Sequence, residues 1–242
     1  MLAALLLTVT TFTSSESAGL SNAHLISGRR DAILIDVVQT RRQASRLADT
    51  IQKSRKHLTL IFITHVHPSD HLGLDVLTER FPGARLVSTP EVCADLRSYG
   101  HALVPQPIGD SLTLEGATLK ILKFENGEST HAAAVYDPVS RRLFAGDLVA
   151  NNVHLNIREK RIDGWLRQLD ALQKISIDRI YPAHGAAGGV SLIAETRQYL
   201  HDFAAALKGA LPDQVRHRML EKYPRRRVRE NLERSVAAFF PG

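Results

Sequence analysis

Apolar residues recur along this chain with two periods, and the period changes with position. "LTVTTFTS" near the start is rich in β-branched residues and predicts an opening strand. "HLISG" and "AILIDVV" predict a strand pair joined by Gly28-Arg29-Arg30-Asp31. In "RRQASRLADTIQKSRK", Ala44, Leu47, Ala48 and Ile51 fall on one helical face. "LTLIFIT" is a continuous apolar run of strand length, as expected for a strand covered on both sides. "HLGLDVLTERF" then reads as a helix, "ARLVST" as a strand, and "PEVCADLRSYG" as a helix opened by Pro90.

The middle of the chain alternates instead. "SLTLEGATLKILKF" reads as a hairpin turning at Glu115-Gly116. "HAAAVYD" and "RRLFAGDLV" read as a second one, joined by Pro138-Val139-Ser140. "GWLRQLDALQKI" has helical spacing, with Trp165 as a packing anchor, and "DRIYPAHG" is a short strand ending in a loop. From Ser191 onward the pattern is helical, with breaks near Pro212 and Pro224. Alternation, hairpins, then alternation again predict mixed sheets with helices outside, a layered α/β arrangement.

The chain has 242 residues, 44% of them hydrophobic and 23% charged, enough for one large domain or one domain and a small appendage. There is no run of eighteen apolar residues, so no membrane span is expected. The single cysteine, Cys93, excludes an internal disulfide framework and reads as a packed thiol. Much of the net charge of +6 sits late, at Arg225, Arg226, Arg227 and Arg229. With Glu230 and Glu233 nearby and no aromatics interleaved, this run reads as a solvated helix face, and no nucleic-acid partner is expected. The opening stretch lacks a basic segment, since the first arginine is Arg29, so a strand is favoured over an export signal; a cytoplasmic location is expected, with export by a weak N-terminal signal as the alternative.

The chemistry gathers at strand ends. "THVHPSDHLG" crowds His65, His67, Asp70 and His71 directly after an apolar strand, a costly arrangement without a compensating cation. His131 precedes "AAAVY", Asp147 ends "RRLFAG", and His184 ends "DRIYPA". These segments can converge on one rim of a rigid scaffold. Imidazole nitrogens and carboxylate oxygens suit zinc, iron or manganese. A carboxylate bridging two such ions holds them roughly 3.5–4 Å apart and positions a shared hydroxide. His24, His57, His101, His201 and His217 read as packed or surface residues.

Over about residues 20–200 the chain resembles the metallo-β-lactamase superfamily, through "LIDV", "THVHPSDHLG", "STH", "AGDLV" and "YPAHG" in that order. The resemblance implies a four-layer αββα sandwich over residues 1–200, with 201–242 as a helical C-terminal extension packed on the same domain. It implies that His65, His67 and His131 hold one metal, Asp70, His71 and His184 a second, and that Asp147 bridges, with two zinc ions per chain and iron or manganese as alternatives. Asp70 would also orient the hydroxide. With no cysteine at a metal position, the likeness is to the glyoxalase II and lactonase branches. The implied reaction is hydrolysis of an ester, thioester, lactone or amide in a small-molecule substrate. A mononuclear iron persulfide dioxygenase and a catalytically silent binding protein are the alternatives. Asn151, His154 and Tyr181 are second-tier candidates for lining the cleft, and the tail for shaping it or a homodimer contact. One departure stands out. Two residues, Pro68 and Ser69, separate His67 from Asp70 where the family has one. An extra residue spans about 3.3–3.6 Å, far more than the ~0.2 Å that metal ligation tolerates, so a local bulge at Pro68-Ser69 is expected to absorb it.

Overall fold

The structure is a computed structural model that describes residues 6–66 and 73–240. His67, Pro68, Ser69, Asp70 and His71 lie outside the described residues, and with them the expected bulge and three of the expected ligands.

The first sheet has six strands: β1 (Thr8–Thr13), β2 (Asn22–Ser27), β3 (Asp31–Ile35), β4 (His57–Phe62), β5 (Arg85–Ser88) and β6 (Gln106–Pro107), adjacent in that order. β1, β2 and β3 pair antiparallel, and β3 through β6 run parallel. The parallel crossovers are α1 (Arg41–Lys53), α2 (Leu74–Arg80) and α3 (Pro90–Ser98). Their starts follow from local chemistry: Thr40 and Thr89 accept the Gln43 and Val92 backbone amides, each at 3.3 Å, and Pro90 occupies the first turn of α3.

The second sheet has five strands in the order β11-β10-β9-β8-β7. These are β7 (Ser111–Leu114), β8 (Ala117–Glu125), β9 (His131–Asp137), β10 (Arg142–Gly146) and β11 (Arg179–Pro182). The hairpins are antiparallel, and β11 joins β10 in parallel after α4 (Ile162–Gln173). The chain continues as α5 (Ser191–Leu207), α6 (Pro212–Lys222) and α7 (Arg229–Phe239).

Three apolar layers result. Ile33, Ile35, Phe62, Val135 and Phe144 pack between the sheets. Leu47, Ile51, Ile61 and Leu77 fill the space under α1 and α2. Trp165, Leu169, Tyr199, Phe203 and Leu232 join the second sheet to α4, α5 and α7. The sequence expectation of an αββα sandwich is met. Each such buried side chain contributes on the order of 1.5–3 kcal/mol. Cys93 is buried in this frame, and burial pushes its thiol pKa up, as a packed cysteine requires. Among the described residues no helix is long and apolar enough to cross a membrane.

The two sheets are also tied at one end by Glu115. Its carboxylate accepts the backbone amides of Arg29 (2.8 Å), Arg30 (2.6 Å) and Asp31 (2.7 Å), the turn that leads into β3. Those bonds hold its pKa down to about 2.

Candidate metal centre

The opposite end of β3 is built differently. Asp36 follows it directly, in a left-handed conformation (φ 60°). The parallel pairing of β3 with β4 brings Asp36 to the residues beyond β4. Asp36 Oδ1 accepts the Thr64 backbone amide and Oδ2 accepts the Thr64 hydroxyl, each at 2.8 Å. With its hydrogen committed to Asp36, Thr64 Oγ1 accepts from His65 Nδ1 at 2.8 Å. The tautomer of His65 follows: Nδ1 carries the hydrogen and Nε2 presents its lone pair. That Nε2 lies 3.4 Å from Asp147 Oδ2.

Asp147 sits just past β10, and Gly146 before it has φ +54°. A Cβ on Gly146 would fall 2.6 Å from Thr64 Oγ1, so the approach of the two sheet ends needs glycine there. His184 follows β11. Its Nδ1 donates to the Gly19 carbonyl at 2.7 Å, and its Nε2 lies 3.4 Å from Asp147 Oδ1. The two imidazoles thus address opposite oxygens of one carboxylate.

Glu128 joins them. It lies in the loop between β8 and β9 and is 1% exposed. Potential ligand atoms of His65, Glu128 and Asp147 all lie within 4.8 Å of one another. Gln168 on α4 holds this loop: its Oε1 accepts the Glu128 amide at 3.3 Å and its Nε2 donates to the Glu125 carbonyl at 3.2 Å.

His131 is not brought to this group; its Nδ1 lies 3.0 and 3.1 Å from the two carboxylate oxygens of Asp95 on α3. The reason is the strand pleat. His131 shares its parity with Ala133 and Val135, whose side chains enter the space between the sheets. At the end of β9 that direction meets α3, whereas Glu128, three residues earlier in the loop, reaches His65 and Asp147. His131 instead lines a cavity of about 350 Å³ with Glu91, Lys123, Ala132, Arg167 and Gln168.

Among the second-tier residues, Asn151 supports the His184 loop. Its amide donates to the His184 carbonyl at 3.0 Å and its side chain to the Ala186 carbonyl at 2.8 Å. Tyr181 stacks on Phe144 with ring centroids 4.9 Å apart. His154 is fully buried and shares a small cavity with Glu128, Asp147 and His184. Glu128, Asp36, Thr64 and Gln168 were not among the residues expected from the sequence, which were the histidines and aspartates of the strand-end motifs. An acidic residue in the "NGEST" turn and an aspartate closing the apolar run "AILID" were the available signals.

The donor set fits a divalent cation. Asp36, Glu128 and Asp147 are carboxylates gathered around His65, with Asp36 and Glu128 buried. Burial pushes the Asp36 carboxyl above the usual range, against the lowering effect of His65 and Thr64, and the Asp147 charge adds to the rise. Gathering carboxylates with two imidazole lone pairs is costly unless positive charge sits among them. His65, Glu128, Asp147 and His184 could hold such an ion.

The family model described as the metallo-beta-lactamase superfamily matches residues 17–184. The chain is 26% identical over 192 residues to a metallo-beta-lactamase type 2 of Bacteroides fragilis, covering 76% of each. It is 24% identical over 191 residues to a metallo-beta-lactamase type 2 of Bacillus cereus, covering 74% of this chain and 73% of that one. A solved metallo-beta-lactamase from Pontibacter korlensis superposes with a TM-score of 0.69 at 19% identity, over 81% of this chain and all (100%) of the other. Fold, strand-end site and family match agree, and the chain belongs to the metallo-beta-lactamase superfamily.

Proposed function

We propose that this protein is a metal-dependent hydrolase that cleaves an ester, thioester, lactone or amide in a small molecule. In this reading His65, Glu128, Asp147 and His184 would hold zinc, and His67, Asp70 and His71, which lie outside the described residues, would add the further ligands expected from the sequence. The observation that carries it is the pair of imidazole Nε2 atoms set 3.4 Å from opposite oxygens of Asp147. Glu128 takes the place that the sequence reading gave to His131.

Bound zinc supplies a Lewis acid for the scissile carbonyl and a water acidified to a pKa of about 7. The protein's own contribution is orientation. Asp36 and Thr64 fix the His65 ring, and Gly19 fixes the His184 ring, each leaving Nε2 available. Gln168 fixes the loop that carries Glu128. The 350 Å³ cavity offers apolar surface at Phe124 and Ala132 and charged groups of both signs, Lys123 and Arg167 with Glu91 and Glu125, suited to a small molecule with both apolar and polar parts.

One observation favours a second reading. Replacing an imidazole by Glu128 makes the donor set richer in oxygen, and two histidines with a carboxylate suit iron. That favours a mononuclear iron oxygenase acting on persulfides. Metal analysis of the purified protein separates the two. Two zincs per chain, with turnover on a panel of esters, thioesters, lactones and cyclic amides, is the expected result. One iron per chain with oxygen uptake would replace the hydrolase reading, and failure to bind any metal would leave a silent binding protein.

A further inference from the structure

Beside the candidate metal centre, and sharing no lining residue with the 350 Å³ cavity, lies a void of about 10 Å³, the space of one water molecule. Glu128, Asp147 and His184 line it together with His154, Asn156 and Asn231. His154 is 0% exposed. Its backbone is pinned from both sides: its amide donates to the Arg227 carbonyl at 2.9 Å, and its carbonyl accepts from Asn231 Nδ2 at 3.1 Å.

The ring's hydrogen can be located from its neighbours. His154 Nδ1 lies 2.8 Å from the Tyr199 hydroxyl. The Tyr199 hydroxyl can donate to Nδ1, and with Nδ1 accepting, the single hydrogen of the neutral ring is on Nε2. Burial, with Arg226 and Arg229 nearby, holds the ring neutral, its pKa lowered to about 4. Nε2 has no partner among the described residues and is buried on a ring that lines the void. A buried donor left unmatched loses its hydration without replacement, which favours a water in the void.

We propose that His154 is a positioning residue for the metal centre: its Nε2–H donates, through one water in this void, to the Glu128–Asp147 carboxylates and orients them for the ion. The proposal rests on the metal reading above. It also gives the C-terminal helices a role, because the ring is held by Tyr199 on α5. Tyr199 is in turn covered by the Arg226 guanidinium, 4.6 Å from its ring centroid. Partners of this kind typically alter metal affinity by about 10–100-fold.

Two measurements test it. Long-range ¹⁵N–¹H spectra of the histidine rings in the metal-free protein should show His154 neutral at pH 7 with its hydrogen on Nε2, and E128Q should move that resonance. A hydrogen on Nδ1, or a resonance that E128Q leaves in place, would overturn the proposal whatever the protein binds. The second is zinc affinity by competition with a chelating dye. H154F should weaken it at least 10-fold, while H154Q, whose amide can donate in the same direction, should stay within about 3-fold of the parent. A folded H154F with parental zinc affinity would also overturn it. Should H154F fail to fold, Y199F serves, with an expected several-fold loss and a shift of the His154 tautomer; parental affinity in Y199F would count against the proposal. A parent protein that binds no zinc sinks the zinc reading instead, and the spectra then decide for His154 alone.

Discussion

Asp36, at the end of β3 beside the candidate metal centre, and Glu115, which reaches the start of the same strand from the second sheet, are both carboxylates held by backbone amides. Glu115 is near the surface and takes three amides, so its charge is satisfied where it stands. Asp36 is buried, takes one amide and one hydroxyl, and passes the remaining demand on through Thr64 to His65. The pKa shifts run in opposite directions, down to about 2 for Glu115 and upward for Asp36. One end of the sandwich is electrostatically closed, and the other stores negative charge that a cation would complete.

The comparison breaks most visibly at Asp147. D147A should abolish metal binding and turnover together, a loss beyond the 100-fold upper range for supporting partners. A variant that keeps full turnover would remove Asp147 from the centre. Next come Glu128 and His131, which the structure separates. E128Q should cut metal content per chain, measured by elemental analysis, whereas H131A should leave it at the parental level. The opposite result would restore His131 as the ligand. D36N should cost about 10–100-fold in zinc affinity by releasing Thr64 and the His65 ring. Equal affinity would show that the ring is held by other contacts.

The smallest effect is expected at the closed end. Because the pKa of Glu115 is lower folded than its ordinary 4.5, its charge stabilises the fold above about pH 4.5, and that contribution fades as pH falls through about 2. E115Q should therefore lower Tm by a few degrees at pH 6, and the difference should shrink steadily toward pH 2. A constant difference across that range would assign the effect to packing.

Much of the fold was legible because apolar periodicity survives averaging over a whole element. α1 shows this: Ala44, Leu47, Ala48 and Ile51 are all buried, as their spacing predicts. The opening strand was legible from its β-branched residues instead, and β1 pairs with β2 from Thr8 to Thr13. β6 was not, since Gln106–Pro107 is two exposed residues held by pairing with β5 alone. The arginine run was only partly read. Arg225 and Arg229 are exposed, but Arg226 stacks on Tyr199 and Tyr223, and Arg227 pairs with Glu16 at 2.7 Å. Such contacts depend on where distant segments land. The site divides the same way. His65, Asp147 and His184 stand at strand ends whose positions the apolar runs set. Glu128 stands in a loop placed by Gln168 on α4, 40 residues away, which no local pattern announces.

The hydrogen bond from His184 to the Gly19 carbonyl ties a residue near the start of the chain to one well past its middle. Asn22 strengthens the junction by donating to the carbonyls of Pro182 and Gly185, at 2.8 and 2.6 Å. During translation the ring that β11 delivers cannot be anchored until that late strand has left the ribosome and docked beside its early partners. The His184 side of the candidate centre is therefore completed only when β11 docks on the second sheet.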